Sequence, residues 1–563
     1  ANIAGGDLVL TASSLGNADR FLRIDLTADG KLTVNADGGI YLWEVAGDMN
    51  IATVTSASGD ICLQAQGSIH TGSDINSRIQ GQGLIQLKAS NGEIGSAANF
   101  LKVYTLPGGK LNATANGNLY INGVGGDLYL GVVTGQSEDG TVYILASHSI
   151  LNGNSDQDPE HGQANIVANK ACIEAAGDIG AADSYLRTAV DYLEGKTLNG
   201  GIWIFNTKDL TVGGVSEVTG LTCGSLLHLI VSGKLTVAED ITSQGDIVLS
   251  TEDLATEGQD IVLNEGVKVE SQTSSVKLQA GDNIVLGIGA ILKALTEVVL
   301  KIDCNAFGTG DADPGAGGYL GLFGAIFAPA LLITGQADND IILIKTENSL
   351  PNTYAEVYGN AGNDTFILHS FNGRLIINGN DGDDYFDICF DEPGQRNVTL
   401  NGDEGDDTFS FADGAVLNGK ICGGAGVNTL DYSRYATARH VTILGWDDTG
   451  YSGIQDGTSD RDALTAPLCT ITEGFSGIKR VIGSLAAGID GDKLYSIKNE
   501  SGKWVLDGTN SIYQALAAVD SEGNPITLNF SNYDFLYGSD KDDSFTLTGQ
   551  EYGRLYGGPG NDV

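Results

Sequence analysis

Apolar and polar residues alternate one by one along most of this chain, in short runs opened by glycine. GDLVLTA (6–12), GKLTVNA (30–36), GDICLQA (59–65), GDLYLGV (126–132), GKLTVAE (233–239) and GDIVLST (245–251) all share the pattern. A period of two sends successive side chains to opposite sides, so each run reads as a short strand with one buried face. Gly, Asn or Asp at the boundaries marks turns. No stretch holds a helical period long enough for an amphipathic helix.

The runs belong to longer repeats. SLGNADRFL (14–22), EIGSAANFL (93–101) and DIGAADSYL (178–186) align, placing Gly16, Gly95 and Gly180 at spacings of 79 and 85. The following segments 28–51 and 107–130 also match, and 200–215 does so more loosely. Many short strands on repeating turns predict a β-solenoid, because one coil cannot bury its apolar face and stacked coils can. A sandwich or barrel is the competing architecture. With about 20–24 residues per coil, the expectation is roughly 25 coils and a rod of roughly 120 Å.

Composition narrows the class. The chain has 563 residues, with 80 glycines, 9 prolines and a net charge of −42. Such a field repels phosphate and excludes nucleic acid as a partner. The 41% hydrophobic content argues against wholesale disorder. Seven cysteines without a CxxC pair read as buried thiols. The uncharged run 315–333 has the length of a membrane span, but its glycines and Pro329 favour a buried solenoid segment, so no membrane span is expected.

A second signature starts near residue 334. TGQADNDIILI (334–344), YGNAGNDTFIL (358–368), NGNDGDDYFDI (378–388), NGDEGDDTFSF (401–411), CGGAGVNTLDY (422–432), YGSDKDDSFTL (537–547) and YGGPGNDV (556–563) share G-x-x-G-x-D-x-apolar-x. Glycines allow positive φ and let carbonyls turn inward. Aspartate adds the charge that a hard cation with six to eight oxygen ligands requires. The candidate Ca²⁺ turns are Gly359, Gly362 and Asp364; Gly379, Asp381, Gly382 and Asp384; Gly402, Gly405 and Asp407; with Asp543 and Asp562 further on. Stacking would bring Asp364, Asp384 and Asp407 into one self-repelling column that a cation neutralises. The alternative is bare turns capped by side-chain hydrogen bonds. Asn428 in place of Asp, Asp338 in place of the second glycine, and Lys541 at the same position mark three turns as doubtful ligands.

The nonapeptide resembles the calcium-binding repeat of RTX (haemolysin-type) proteins. Motif glycines here lie 24, 20, 23 and 21 residues apart, which implies one motif per coil and ions on one side only. VNTLDYSRYATARHVTILG (427–445) with FSGIKRVIGS (475–484), and GDKLYSIKNESGKWVLDG (491–508) with LNFSNYDFLYGSDKDDSFTL (528–547), look like connecting modules of large bacterial exoproteins. With the IGSAANFL-type repeats, the chain resembles giant adhesins that join filamentous-haemagglutinin-like β-helix repeats to RTX repeats. That resemblance implies an all-β, right-handed parallel β-helix (β-solenoid) with calcium turns in the C-terminal half, on the bacterial cell surface or outside the cell. The organisation expected is a β-helix at 1–299, a Gly-rich apolar junction at 300–332, acidic RTX-like coils at 333–432, connecting modules at 433–536 and truncated RTX-like coils at 537–563. Both ends fall mid-pattern, so the expectation is a fragment of a longer protein.

Three functional classes follow. The first is a structural or adhesive solenoid whose partners are calcium and a cell-surface glycan or protein. The second is a filament or sheath subunit that self-associates through its open ends. The third is a polysaccharide lyase or epimerase on a β-helix. An enzyme is not expected, because no acid–base constellation stands out. The nearest one, Asp158 with His161 in DQDPEHGQ, reads as a polar loop. Trp43, Trp203, Trp446 and Trp504 could stack on sugars, although core packing is the commoner role for repeated aromatics.

Overall fold

The computed structural model describes residues 2–72, 74, 76–155, 162–305, 317–346, 350, 352–390, 397–456, 470–486, 491–549 and 553–563. Asp158 and His161 lie outside the described residues. The fold is an all-β parallel solenoid of about 22 turns, and no helix occurs among the described residues.

Alternation drives the winding. Lys31–Ala36 buries Leu32, Val34 and Ala36 and leaves the residues between them outward. It pairs in parallel with Leu8–Ala12, setting Leu8 against Leu32 and Leu10 against Val34. Like residues thus stack on like residues, and one apolar core runs through every coil.

The first coils carry two opposed strands each. One face stacks Ile3–Gly5, Leu22–Leu26, Ile40–Glu44, Ile61–Ala65, Leu84–Ala89 and Lys110–Ala115. Leu8–Ala12, Lys31–Ala36, Met49–Ser56, Arg78–Gly81, Leu101–Thr105 and Leu119–Gly123 stack on the other. In the middle each coil gains a third strand, as in Leu235–Val237, Ile241–Ser243 and Ile247–Thr251. The count falls below the roughly 25 expected for coils of about 20–24 residues because some coils are longer, as between Ile247 and Val276 or Ile85 and Leu111.

The two-strand coils explain the long repeat. Gly16, Gly95 and Gly180 have φ of 69°, 75° and 71°, and each opens a small closed turn, with bridges Asn17–Arg20, Ser96–Asn99 and Ala181–Ser184. Phe21 and Phe100 then pack edge-on against Tyr41 and Tyr120, at 5.7 and 5.5 Å. Tyr41 is on the first face, whereas Tyr120 is on the second and Trp203 on the first again. From Ile40–Glu44 the chain passes Ile61–Ala65, Leu84–Ala89 and Lys110–Ala115 before crossing to Leu119–Gly123. Each repeat therefore advances about three and a half coils, and successive copies occupy opposite faces.

The apolar run after residue 315 contributes strands Tyr319–Leu322, Ala325–Phe327 and Ala330–Thr334, each paired with the coils before and after or with the coil before it. No helix among the described residues is long and apolar enough to cross a membrane. Coils continue among the described residues of 433–536 as well. Ile421 pairs with Phe475 and Leu430 with Val481, so His440–Asp447 and Gly450–Asp456 form a hairpin inserted between two stacked coils. A second antiparallel excursion joins Gly502–Leu506, Ser511–Ala515 and Leu528–Ser531. Trp504 is fully buried there against Tyr513, Phe530 and Phe545, whereas Trp43 lies on an outward face beneath Arg23. Cys62, Cys172, Cys223, Cys304 and Cys422 are free thiols.

Candidate functional site: the aspartate turns

The acidic turns join Thr353–Ala361, Gly373–Asp381, Val398–Glu404 and Gly419–Gly424 to Thr365–Ser370, Tyr385–Ile388, Thr408–Phe411 and Thr429–Asp431. Registry is tight: Asn360 pairs with Asn380 and Asn380 with Asp403, while Thr365, Tyr385 and Thr408 align beyond the turn. Every turn therefore repeats at one edge, on the same side of the solenoid.

This registry makes a column of Asp340, Asp364, Asp384, Asp407 and Asn428. The N–H of each residue donates to the side-chain Oδ1 of the next: Asp340 to Asp364 at 2.7 Å, Asp364 to Asp384 at 2.8 Å, Asp384 to Asp407 at 3.0 Å and Asp407 to Asn428 at 2.9 Å. A second ladder runs the other way on the exposed side. There the N–H groups of Asn363, Asp383, Asp406 and Val427 donate back to Asn339, Asn363, Asp383 and Asp406.

Asp364, Asp384 and Asp407 are buried, at 1%, 1% and 0% exposure, and their Oδ2 atoms have no hydrogen-bond partner. An orphaned, desolvated carboxylate oxygen is costly. Burial is the main reason that the acids are lifted to about 8, about 7 and about 8 respectively, against an ordinary value of 3.8. The ladder N–H bonds pull the other way and are outweighed.

The glycines create the space these oxygens occupy. A Cβ on Gly359, Gly379 or Gly402 would collide with Oδ2 of Asp364, Asp384 or Asp407 and crowd the carbonyl of the first glycine one coil on. Gly362, Gly382 and Gly405 are needed for a different reason, having φ of 113°, 134° and 129°. Asp381 departs from the expectation: it is exposed at the edge, in register with Ala361 and Glu404, and is not in the column.

Asp543 and Asp562 repeat the ladder near the C-terminus, with the Asp543 N–H donating to Asp562 Oδ1 at 2.9 Å. Asp543 differs in one respect. Its Oδ1 accepts from the Gly502 N–H, and its Oδ2 accepts from the N–H and hydroxyl of Ser539. Asp340 is likewise satisfied, by the N–H groups of Gly318 and Gln336. Asp492 went unnoticed in the sequence because no motif surrounds it. It is fully buried and accepts from Arg439 and Ser484, and burial lifts it to about 6.

Orphaned carboxylate oxygens beside backbone carbonyls form an all-oxygen donor set, which suits a hard divalent cation. Asp364, Asp384 and Asp407 would supply the charge, and the glycine carbonyls of the following coil would supply neutral oxygens. Among the described residues no group of three or more His, Cys, Asp or Glu side chains gathers to hold a metal. Each turn brings one buried carboxylate to the column, so carbonyls would have to provide most of the ligands there. Comparison of the chain with known protein families, with characterised proteins and with solved structures finds no match.

Proposed function

We propose that this chain is an extracellular structural or adhesive rod whose acidic coils are stabilised by calcium. The supporting observation is the row of three buried carboxylates, Asp364, Asp384 and Asp407, each with an unpartnered Oδ2 at the same edge of successive coils. A proton on each would satisfy it below the raised pKa. Near neutral pH a divalent cation satisfies it better and also cancels repulsion along the column. Sites with one carboxylate each bind weakly, which fits compartments where calcium is in the 10⁻⁴–10⁻³ M range, as outside cells. A continuous rigid core with repetitive outward faces fits a spacer or adhesive role, and cell-surface glycans or proteins are the partners this reading favours.

The test is thermal melting of the full chain with calcium and with excess chelator, alongside calcium titration by calorimetry. Calcium should raise the melting temperature and bind with a stoichiometry near the number of orphaned aspartates. Identical melting curves and no binding heat would leave the turns as plain coil corners and remove the calcium reading.

A further inference from the structure

One position meets three chemical environments along this edge. In each turn the column residue lies five positions after the first glycine: Asp340, Asp364, Asp384, Asp407, Asn428, Asp543 and Asp562. Its second side-chain heteroatom faces the residue four positions earlier. At Asp340 and Asp543 that residue, Gln336 or Ser539, offers its N–H and the carboxylate accepts it at 2.9 or 2.6 Å. At Asn428 the direction reverses. Its Nδ2 donates to three carbonyls, those of Gly424 at 3.2 Å, Ala425 at 3.1 Å and Gly477 of the next coil at 3.1 Å. At Asp364, Asp384 and Asp407 the corresponding atom is the orphaned Oδ2.

The backbone separates these cases. Asn360, Asn380, Asp403 and Gly424, four residues before Asp364, Asp384, Asp407 and Asn428, have φ of 82°, 75°, 74° and 87°. Gln336 and Ser539 are not left-handed. Beside left-handed Gly424 it is carbonyls that face the column, and beside left-handed Asn360, Asn380 and Asp403 no N–H reaches Oδ2. Asn, Asp and Gly tolerate that conformation, whereas Gln and Ser rarely adopt it. In a carbonyl-lined slot a carboxylate meets only acceptors, and an amide finds partners.

We propose that the residue after the first glycine sets the polarity of each slot, and that Asn428 is a built-in amide plug. Its N–H₂ group takes the place a cation would hold in the three preceding coils. Gln336 with Asp340 closes the cation-accepting run on one side, and Asn428 closes it on the other, where the chain leaves for the 440–456 hairpin before the next coil stacks on at Phe475 and Val481. The cation part of this inference rests on the calcium reading above; the polarity part does not.

The test uses the full chain and three variants, Asp384→Asn, Asn428→Asp and Asp340→Asn, melted in excess chelator and titrated with calcium. Asp384→Asn should melt higher than wild type in chelator and bind one calcium fewer. Asn428→Asp should melt lower in chelator and bind one more. Asp340→Asn should melt lower with or without calcium, with unchanged stoichiometry, because an amide cannot accept both N–H donors at its slot. If Asp384→Asn and Asp340→Asn shift the chelator melt in the same direction, slot polarity is overturned. If wild type binds calcium and Asn428→Asp gains none, the plug is overturned. If wild type binds none, the calcium reading falls, and the opposite shifts in chelator still decide slot polarity.

Discussion

The backbone N–H of Asp384 donates to Oδ1 of Asp407 in the following coil, leaving Oδ2 of both residues buried without a partner. One oxygen of each carboxylate therefore locks coil to coil, and the other carries an unmet electrostatic demand. Stability of the acidic coils should depend on how that demand is met.

In calcium-free solution the dependence on pH has a definite sign. Burial lifts Asp364 and Asp407 to about 8 and Asp384 to about 7, above the ordinary 3.8. The folded state then holds protons that the unfolded chain has released, so these groups contribute most below pH ~4 and lose that contribution as pH rises through 7–8. The melting temperature in chelator should fall over this window, and calcium should rescue it most at the alkaline end. A chelator melt that rises from pH 5 to 8 would contradict the burial of the column.

Gly379→Ala tests the packing of the same turn. Its φ is ordinary, so the added methyl costs nothing in backbone conformation, yet it would overlap Asp384 Oδ2 and lie 2.7 Å from the Gly402 carbonyl. A loss of about 1–3 kcal/mol is expected, typical of overpacking a closed site. Urea unfolding monitored in the acidic coils checks it, and a neutral result would mean that the turn yields easily.

The core beneath the column is aromatic. Phe366, Phe386 and Phe409 stack with centroids 4.9 and 4.6 Å apart, all fully buried. Phe386→Ala should cost about 3–5 kcal/mol. Because coils contact mainly their neighbours, the damage should stay local. Hydrogen exchange is expected to quicken in strands Thr365–Ser370, Tyr385–Ile388 and Thr408–Phe411 and to remain unchanged before residue 200.

Thiol reactivity gives an independent check on burial in the first half. Cys62 and Cys172 are 8% and 4% exposed, and burial pushes their thiols up to about 11 and about 12. Little thiolate forms at pH 8, so alkylation of the native protein at both should be orders of magnitude slower than in denaturant. Mass spectrometry of labelled peptides reads this directly.

Strand positions and the parallel stack were legible in the sequence because period-two alternation has one packing solution at this repeat density. The alignment of Asp364, Asp384 and Asp407 followed from spacings that equal one coil. Other features depend on tertiary pairing that local pattern does not encode. The hairpin at His440–Asp456 has the same alternation as a coil strand. Asp543 looks like Asp384 in the motif, yet the N–H that its Oδ1 accepts comes from Gly502, forty-one residues earlier, and not from the column residue of a neighbouring motif turn. Gln336 and Ser539 did carry a readable signal, since neither suits a left-handed turn, but its meaning appears only once the direction of the peptide is known.

The half-coil remainder in the long repeat has a consequence for how such a rod can grow. Adding one copy by tandem duplication would turn everything beyond it by half a revolution, and adding two would restore the original phase. A surface feature encoded once per repeat thus recurs in antiphase along the shaft. A rod lengthened in this way displays the same chemistry to both sides of its axis, so it can engage a surface without first rotating to face it.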